Sequence, residues 1–246
     1  MSNYPLSEAS LDILKNFAAI SEQVQFKAGT SQRTCNSTRN FIADVELPEP
    51  LPIDCSLYNL NRLLGIIDTC KGSALPDLTF GETSLVVTHD NGEVTLPYAH
   101  ESVVAAPPVY TFVLSKKFAS FDLPAALWTK IKRTAAVLQT TSLQFTIKDG
   151  KLTLKLINDK DKGGDSIGWG SYNMPNTVVT DGIKSNVWVV KFDALEFLPG
   201  DYNVEIGDVS FNTATGESSL FGAFFTLADP KKNVRYLTSG HVVKSR

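Results

Sequence analysis

The segment FAAISEQVQFKAG (residues 17–29) has a counterpart in TAAVLQTTSLQFTIKDG (residues 134–150). In both segments the end of an Ala-Ala-aliphatic helix precedes a strand that contains Gln-Phe, and a glycine follows. Ile53 and Asp54 likewise match Val190 and Asp193, because each pair precedes a short helical stripe. Each half therefore follows the order helix, strands, short helix, strands, which predicts a duplicated α+β unit of antiparallel sheets with two helices. A chance likeness between two amphipathic helices is the alternative.

Four stretches carry apolar residues at helical spacing. The predicted helices cover residues 8–20, 57–68, 123–139 and 193–198. Ser7 stands at the N-cap of the first helix, where Leu6 and Leu11 have the spacing of a hydrophobic staple. Pro124 suits the first turn of the third helix, and Pro199 ends the fourth.

The remaining chain alternates apolar and polar residues as strands do. Asp149-Gly150 and Asn91-Gly92 lie between such runs and predict two hairpins. Small residues and Pro107-Pro108 predict an extended connector at about residues 100–110. The sequence thus predicts an N-terminal domain over residues 1–106 and a C-terminal domain over residues 107–246.

Composition excludes several classes of protein. The 246 residues are 43% hydrophobic, and 23 Lys and Arg stand against 26 Asp and Glu, for a net charge of -3. That balance excludes a generally basic nucleic-acid coat and an acidic disordered chain. The charge is uneven: the first 110 residues carry 6 basic and 13 acidic residues, and the rest carry 17 and 13. No apolar run reaches membrane-spanning length, and the polar N-terminus does not resemble a signal peptide. With only three scattered cysteines, the pattern favours a soluble protein of a reducing cytoplasm.

Motifs for catalysis are poor. The histidines His89, His100 and His241 lack partners at metal-ligand spacing, and no phosphate-binding loop or nucleophile motif occurs. Asp159, Asp161 and Asp165 miss the spacing of a calcium loop. We therefore predict no catalytic residue, no metal and no cofactor.

The polar face of the third predicted helix is the most informative feature. Arg133 lies nearly opposite the apolar stripe, and Lys130 and Lys132 lie on either side of it. No acidic residue occurs between Asp122 and Asp149. Such a face can hold cations against a phosphate backbone without reading bases, although a solvated helix face is the common alternative. Lys15 and Arg62 add single cations to the first and second helices.

These segments resemble the sliding clamps of T-even-type tailed bacteriophages. The resemblance rests most strongly on LDILKNFAAI (residues 11–20) and PIDCSLYNLNRLLGIID (residues 52–68), and it continues through TAAVLQ, IKDGKLTLKLIN and FLPGDYNV. It implies a DNA-clamp fold with two clamp units per subunit. Three subunits would then join head to tail into a closed homotrimeric ring whose helices line the hole. In that ring the residues facing double-stranded DNA would be Lys15, Arg62, Lys130, Lys132 and Arg133.

The resemblance also implies partners. A replicative DNA polymerase would be tethered by a peptide bound in an apolar pocket, a clamp loader would place the ring on DNA, and late-transcription factors would use it as well. The location would be the cytoplasm of the infected bacterial host, with no membrane partner. The sequence does not identify the pocket, the strands of the subunit interface or a role for the basic segment 229–246.

Two departures from the family pattern concern the contacts to DNA. The first helix begins with Glu8 and Asp12, and the fourth has no cation of its own. The competing interpretation is a β-rich binding or structural module of the capsid or carbohydrate-binding type, with Trp169 available for stacking on a sugar. An enzyme with an unrecognised site is a third interpretation.

Overall fold

The computed structural model describes residues 2–70, 72, 74–89, 92–158, 170–180, 185–192, 195–214 and 216–242. The chain divides into two units. Unit 1 comprises Met1–Pro108, Glu196–Leu198 and Lys232–Val234, and unit 2 comprises Val109–Leu195, Pro199–Lys231 and Arg235–Arg246. The division into domains at residues 106 and 107 stays a prediction, which did not foresee the two short segments that join unit 1 from the second half.

Eight antiparallel strands belong to the first half of the chain. They are β1 (Ser2–Tyr4), β2 (Val24–Phe26), β3 (Gly29–Cys35), β4 (Phe41–Leu51), β5 (Cys55–Leu57), β6 (Asp77–Phe80), β7 (Ser84–His89) and β8 (Gly92–Pro97). One sheet has the order β1-β6-β7-β8, with β8 at its edge, while β2 pairs with β5 and β3 with β4. The predicted hairpin at Asn91-Gly92 is confirmed by the pairing of β7 with β8, although Asn91 itself lies outside the described residues.

Helix α1 (Glu8–Ile20) has the bounds that the sequence predicts. The Ser7 side chain accepts a hydrogen bond from the Ser10 amide, as an N-cap should. The Ser10 hydroxyl is fully buried and donates to a carboxylate oxygen of Glu49 in β4, at 2.5 Å, and the Ser7 hydroxyl donates to the same oxygen at 3.1 Å. Glu49 therefore joins the start of α1 to β4.

Helix α2 (Leu60–Cys70) begins three residues later than predicted. The predicted helix 57–68 begins with Leu57, but Leu57 lies in β5, where it pairs with Val24 of β2. The Asn59 side chain accepts a hydrogen bond from the Arg62 amide and caps the helix. The buried face consists of Leu60, Leu63 and Ile67.

Ten strands follow in the second half. They are β9 (Val113–Leu123), β10 (Ser142–Lys148), β11 (Lys151–Ile157), β12 (Gly170–Asn173), β13 (Val178–Val179), β14 (Ser185–Lys191), β15 (Tyr202–Thr213), β16 (Gly216–Leu227), β17 (Val234–Ser239) and β18 (His241–Val242). One sheet has the order β12-β11-β10-β14-β18, and β13, β9, β15, β16 and β17 follow one another in a second. The predicted hairpin at Asp149-Gly150 is confirmed by β10 and β11.

Helix α3 (Ala125–Leu138) confirms the third predicted helix, and its buried residues are Trp128, Ile131 and Ala135. The Trp128 ring packs against Phe192 with centroids 5.5 Å apart. Trp188 in β14 is fully buried and stacks on Phe221 at 4.7 Å. Both tryptophans are therefore core residues, and Trp169 lies outside the described residues.

The fourth predicted helix, residues 193–198, is wrong for the part that the structure describes. Residues 195–198 are irregular, and Asp193 and Ala194 lie outside the described residues. Residues of this segment instead make two long-range contacts within unit 1. The Asn16 side chain of α1 donates to the Glu196 carbonyl at 2.9 Å, and Phe197 packs on Phe41 at 5.6 Å. The expectation of two helices in each unit is consequently met in unit 1, whereas the described residues of unit 2 contain one α-helix.

Candidate nucleic-acid interface

In unit 2 the exposed face of α3 carries three of the predicted DNA-facing residues. Lys130, Lys132 and Arg133 are all exposed. At 3.6 residues per turn, Arg133 projects about 170° from the buried stripe around the helix axis, Lys130 about 130° and Lys132 about 70° on the other side. Arg133 and Lys130 therefore point away from the core, and Lys132 lies on the flank.

The residues between these cations are small or apolar. Ala126, Thr129, Ala136 and Val137 are exposed on the same helix, and Val137 is 82% exposed. The helix contains no acidic residue. The nearest acid shown is the exposed Asp201, whose carboxylate accepts a hydrogen bond from the Ala125 amide at 2.7 Å in the first turn. Because short side chains surround the three cations, a phosphate backbone can approach them on the part of the helix beyond that turn.

In unit 1 the exposed stripe of α1 has a different charge. Its exposed members are Glu8, Asp12, Lys15 and Ala19, which recur at helical spacing. Asp12 lies one turn before Lys15, and side chains three residues apart are neighbours on a helix surface. Lys15 is therefore a cation on an acidic stripe.

Arg62, the second predicted cation of unit 1, is exposed on α2 and lines a pocket of about 240 Å³. Tyr58, Leu96 and Pro97 line the same pocket, and the Tyr58 ring is 61% exposed. The sequence could not predict this pocket, because its lining combines residues from the start of α2 with residues from the end of β8, which are far apart in the chain. Asp68 is the exposed acid near the other end of α2.

The ion pairs within the described ranges include Lys27–Asp54, Arg33–Asp44 and Lys117–Glu205. The structure thus places Lys130, Lys132 and Arg133 together on one helix of unit 2, and Lys15 and Arg62 on two helices of unit 1.

Other predicted sites have structural roles or lie outside the described part of the chain. Burial raises the pKa of the Cys55 thiol to about 12, so Cys55 behaves as a small apolar residue. Among the described residues, no group of three or more His, Cys, Asp or Glu side chains could hold a metal ion. The candidate calcium loop with Asp159, Asp161 and Asp165 falls outside them. No helix in the described ranges has the length and apolar character needed to cross a membrane.

Sequence reasoning missed an apolar patch on unit 2. Val109 is 90% exposed and Val113 is 54% exposed. Tyr110 and Phe211 are half-buried beside them, with ring centroids 5.4 Å apart. The aliphatic and aromatic residues at 109–113 were a usable signal, but Phe211 approaches them only through the pairing of β9 with β15.

Side chains of unit 1 hold the connector in place. The Gln25 amide group donates to the carbonyl of Glu101, and Gln23 accepts from the Ala105 amide. Arg33 donates to the Pro108 carbonyl at 2.7 Å while it pairs with Asp44. The connector contains one 3₁₀ turn, Glu101–Val103, and is otherwise irregular up to β9.

The fold matches the DNA clamps. PCNA from A. fulgidus, solved with the C-terminal region of FEN-1, aligns with a TM-score of 0.61 and 12% identity over all of both chains. PCNA from Thermococcus kodakaraensis aligns with a TM-score of 0.60 and 13% identity over 97% of this chain and 99% of that one. The predicted α+β clamp fold is therefore confirmed.

The sequence is similar to phage sliding clamps. The sliding clamp of Vibrio phage KVP40 is 26% identical over 216 residues, which cover 87% of this chain and 95% of that protein. The sliding clamp of Enterobacteria phage T4 is 24% identical over 207 residues, covering 81% and 85%. No protein-family model matches. The predicted resemblance to the sliding clamps of T-even-type phages is confirmed.

These matches favour a sliding clamp over a β-rich binding module. Sliding clamps are non-catalytic processivity factors, and this chain is similar to them in sequence and in fold. The general role of the class is to tether a DNA polymerase.

Proposed function

We propose that three copies of this chain form a closed ring that encircles double-stranded DNA and tethers the replicative DNA polymerase of a phage in its bacterial host. The clamp fold over the whole chain, with its 0.61 TM-score, is the observation that carries the proposal. Six clamp units complete such a ring, so two-unit subunits imply a homotrimer whose heterologous interface closes by rotation.

Two edge strands suit the head-to-tail contact. Strand β8 is at one end of its sheet in unit 1, and β12 is at one end of its sheet in unit 2. An edge strand presents unpaired backbone groups that can pair with another chain. We propose that β8 of one subunit pairs with β12 of the next.

Charge substitutions test this interface. Thr95 in β8 and Ser171 in β12 are exposed. Thr95→Glu combined with Ser171→Glu should weaken the trimer by bringing like charges together, and Thr95→Glu combined with Ser171→Lys should restore it. Equal trimer fractions in both double variants would contradict the pairing.

The proposed DNA-facing residues are Lys15, Arg62, Lys130, Lys132 and Arg133. Contacts to phosphates carry no sequence information, so the energy changes little as the ring moves along the duplex. The net charge of -3 limits non-specific adhesion elsewhere on the molecule. A ring with a few cations in its hole and a net negative charge overall can hold DNA and still slide along it.

The polymerase would gain processivity through tethering. A polymerase bound to a ring on the same DNA has a high effective concentration at the primer end, which repeated encounters from solution cannot match. The apolar patch of Val109, Tyr110, Val113 and Phe211 is our candidate for the surface that binds a polymerase peptide, because neighbouring exposed apolar side chains can mark an interaction site. A clamp loader and late-transcription factors are further proposed partners, on the resemblance alone.

Primer extension on circular and linear templates tests the function. With polymerase and clamp loader, the ring should lengthen products on a primed circle, and the effect should fall on linear DNA with free ends, because a ring slides off. Equal stimulation on both templates would argue against topological tethering. Without any stimulation on the circle, the proposed function is wrong.

A further inference from the structure

The helices of the two units differ in charge, and the difference bears on how DNA lies in the ring. On unit 2, α3 carries three exposed cations and no acid of its own, and the exposed Asp201 binds the amide of its first residue, Ala125. On unit 1, the exposed acids Glu8, Asp12 and Asp68 outnumber the cations Lys15 and Arg62. The helices of unit 1 thus present a formal charge of -1 and the described helix of unit 2 a charge of +3.

We propose that DNA in the ring is held by the second unit of each subunit and is kept away from α1 of the first unit. This inference rests on the proposed function, because it needs DNA inside the ring. A threefold ring would then offer three attractive sectors built on α3, and α1 of each subunit would repel phosphate. The duplex would be drawn towards one α3 at a time.

The acidic stripe on α1 is expected to limit the contribution of Lys15 to DNA binding. Its neighbour Asp12 lies on the same exposed stripe one turn away, so a phosphate approaching Lys15 also approaches a carboxylate. In water, a single unit charge at about 4 Å is enough to change the local population of a phosphate about fivefold. Relative to Lys15, the three cations on α3 should therefore attract phosphate more strongly than their number alone would predict.

The same arrangement has a consequence for sliding. Phosphate contacts made by one α3 at a time are few, and ions can replace them. Repulsion at α1 prevents the duplex from being gripped on all sides. The ring can then remain attached by topology while the contacts to phosphate exchange.

Photo-crosslinking tests the inference on the assembled ring. Ala126 on α3 and Ala19 on α1 are both exposed alanines on the faces in question. A photoreactive phenylalanine is introduced at one position or the other, and each ring is loaded on a nicked circular duplex. The yields of crosslinked DNA are then compared. The same group at Val178, which is 66% exposed on β13 outside the helices, gives the background yield.

We expect at least about fivefold more DNA crosslinking from position 126 than from position 19, after subtraction of background. Equal yields above background would overturn the inference and leave the proposed function intact. Background yields at both positions would overturn both. Asp12 lies two helical turns, about 10 Å along the axis, from position 19. In the position 19 protein, Asp12→Asn should therefore raise the yield by up to about twofold, and an unchanged yield would overturn the electrostatic cause.

Discussion

Replacing Lys130, Lys132 and Arg133 together by alanine removes every cation of the exposed face of α3. All three side chains are exposed. Alanine has the highest helix propensity, so α3 should be retained. Folding and trimer formation should therefore persist while the attraction to DNA falls.

The geometry of α3 limits the size of the effect. With a rise of 1.5 Å per residue, residues 130–133 span only about 4.5 Å of the helix axis, so one helix can reach about two or three phosphates at once. Each neutralised phosphate contributes about 0.9 to the slope of log affinity against log salt concentration. The triple variant should thus lower that slope by about 2 to 3, and its loss of affinity should be largest at low salt.

The assay is titration of a short labelled duplex with the assembled ring between about 50 and 200 mM salt. A matched control replaces Lys148, Lys151 and Lys231 by alanine, which removes the same charge from exposed positions outside α3. The control should keep the wild-type slope to within about one unit. If the two variants lost slope equally, only net charge would matter; if neither lost slope, α3 would not face DNA. Either result would refute the reasoning.

Two further predictions concern stability in denaturant unfolding. A Cβ on Gly207 would lie 1.9 Å from the Lys116 carbonyl oxygen, so Gly207→Ala should lower the unfolding free energy by about 3 kcal/mol. A Cβ on Gly65 would meet nothing within 4 Å, so Gly65→Ala should raise the unfolding free energy by up to about 1 kcal/mol. Equal effects of the two would contradict the packing described for β15. Glu49→Ala should lower the unfolding free energy by about 2 kcal/mol because the buried Ser10 hydroxyl loses its acceptor. The double variant with Ser10→Ala should lower the unfolding free energy by less than the sum of the two single losses. Strict additivity would show that the two groups act independently.

Local signals predicted the elements whose residues interact with their own neighbours. Ser7 at the N-cap gave the start of α1, and Asp149-Gly150 gave the β10–β11 hairpin, because capping and turn formation depend on adjacent residues. The exposed positions of Lys130, Lys132 and Arg133 on α3 were predicted for the same reason. A helical period already separates the buried from the exposed side.

Elements fixed by distant contacts were predicted less well. Leu57 fits a helical stripe, yet its pairing with Val24 makes it part of a strand. Residues 195–198 were predicted as helix, but Asn16 and Phe41 of unit 1 hold Glu196 and Phe197 in an irregular segment. The apolar patch with Phe211 and the pocket beside Arg62 also needed strand pairing to be seen.

The mass of the assembly in solution tests the central claim most directly. Light scattering on a size-exclusion column, over a range of concentrations, reports the mass of each species as it elutes. The account predicts a species of about 80 kDa, three times the chain mass of 26.8 kDa, which dissociates on dilution. A mass of 26.8 kDa at every concentration would contradict it, because a single subunit with two clamp units cannot encircle DNA.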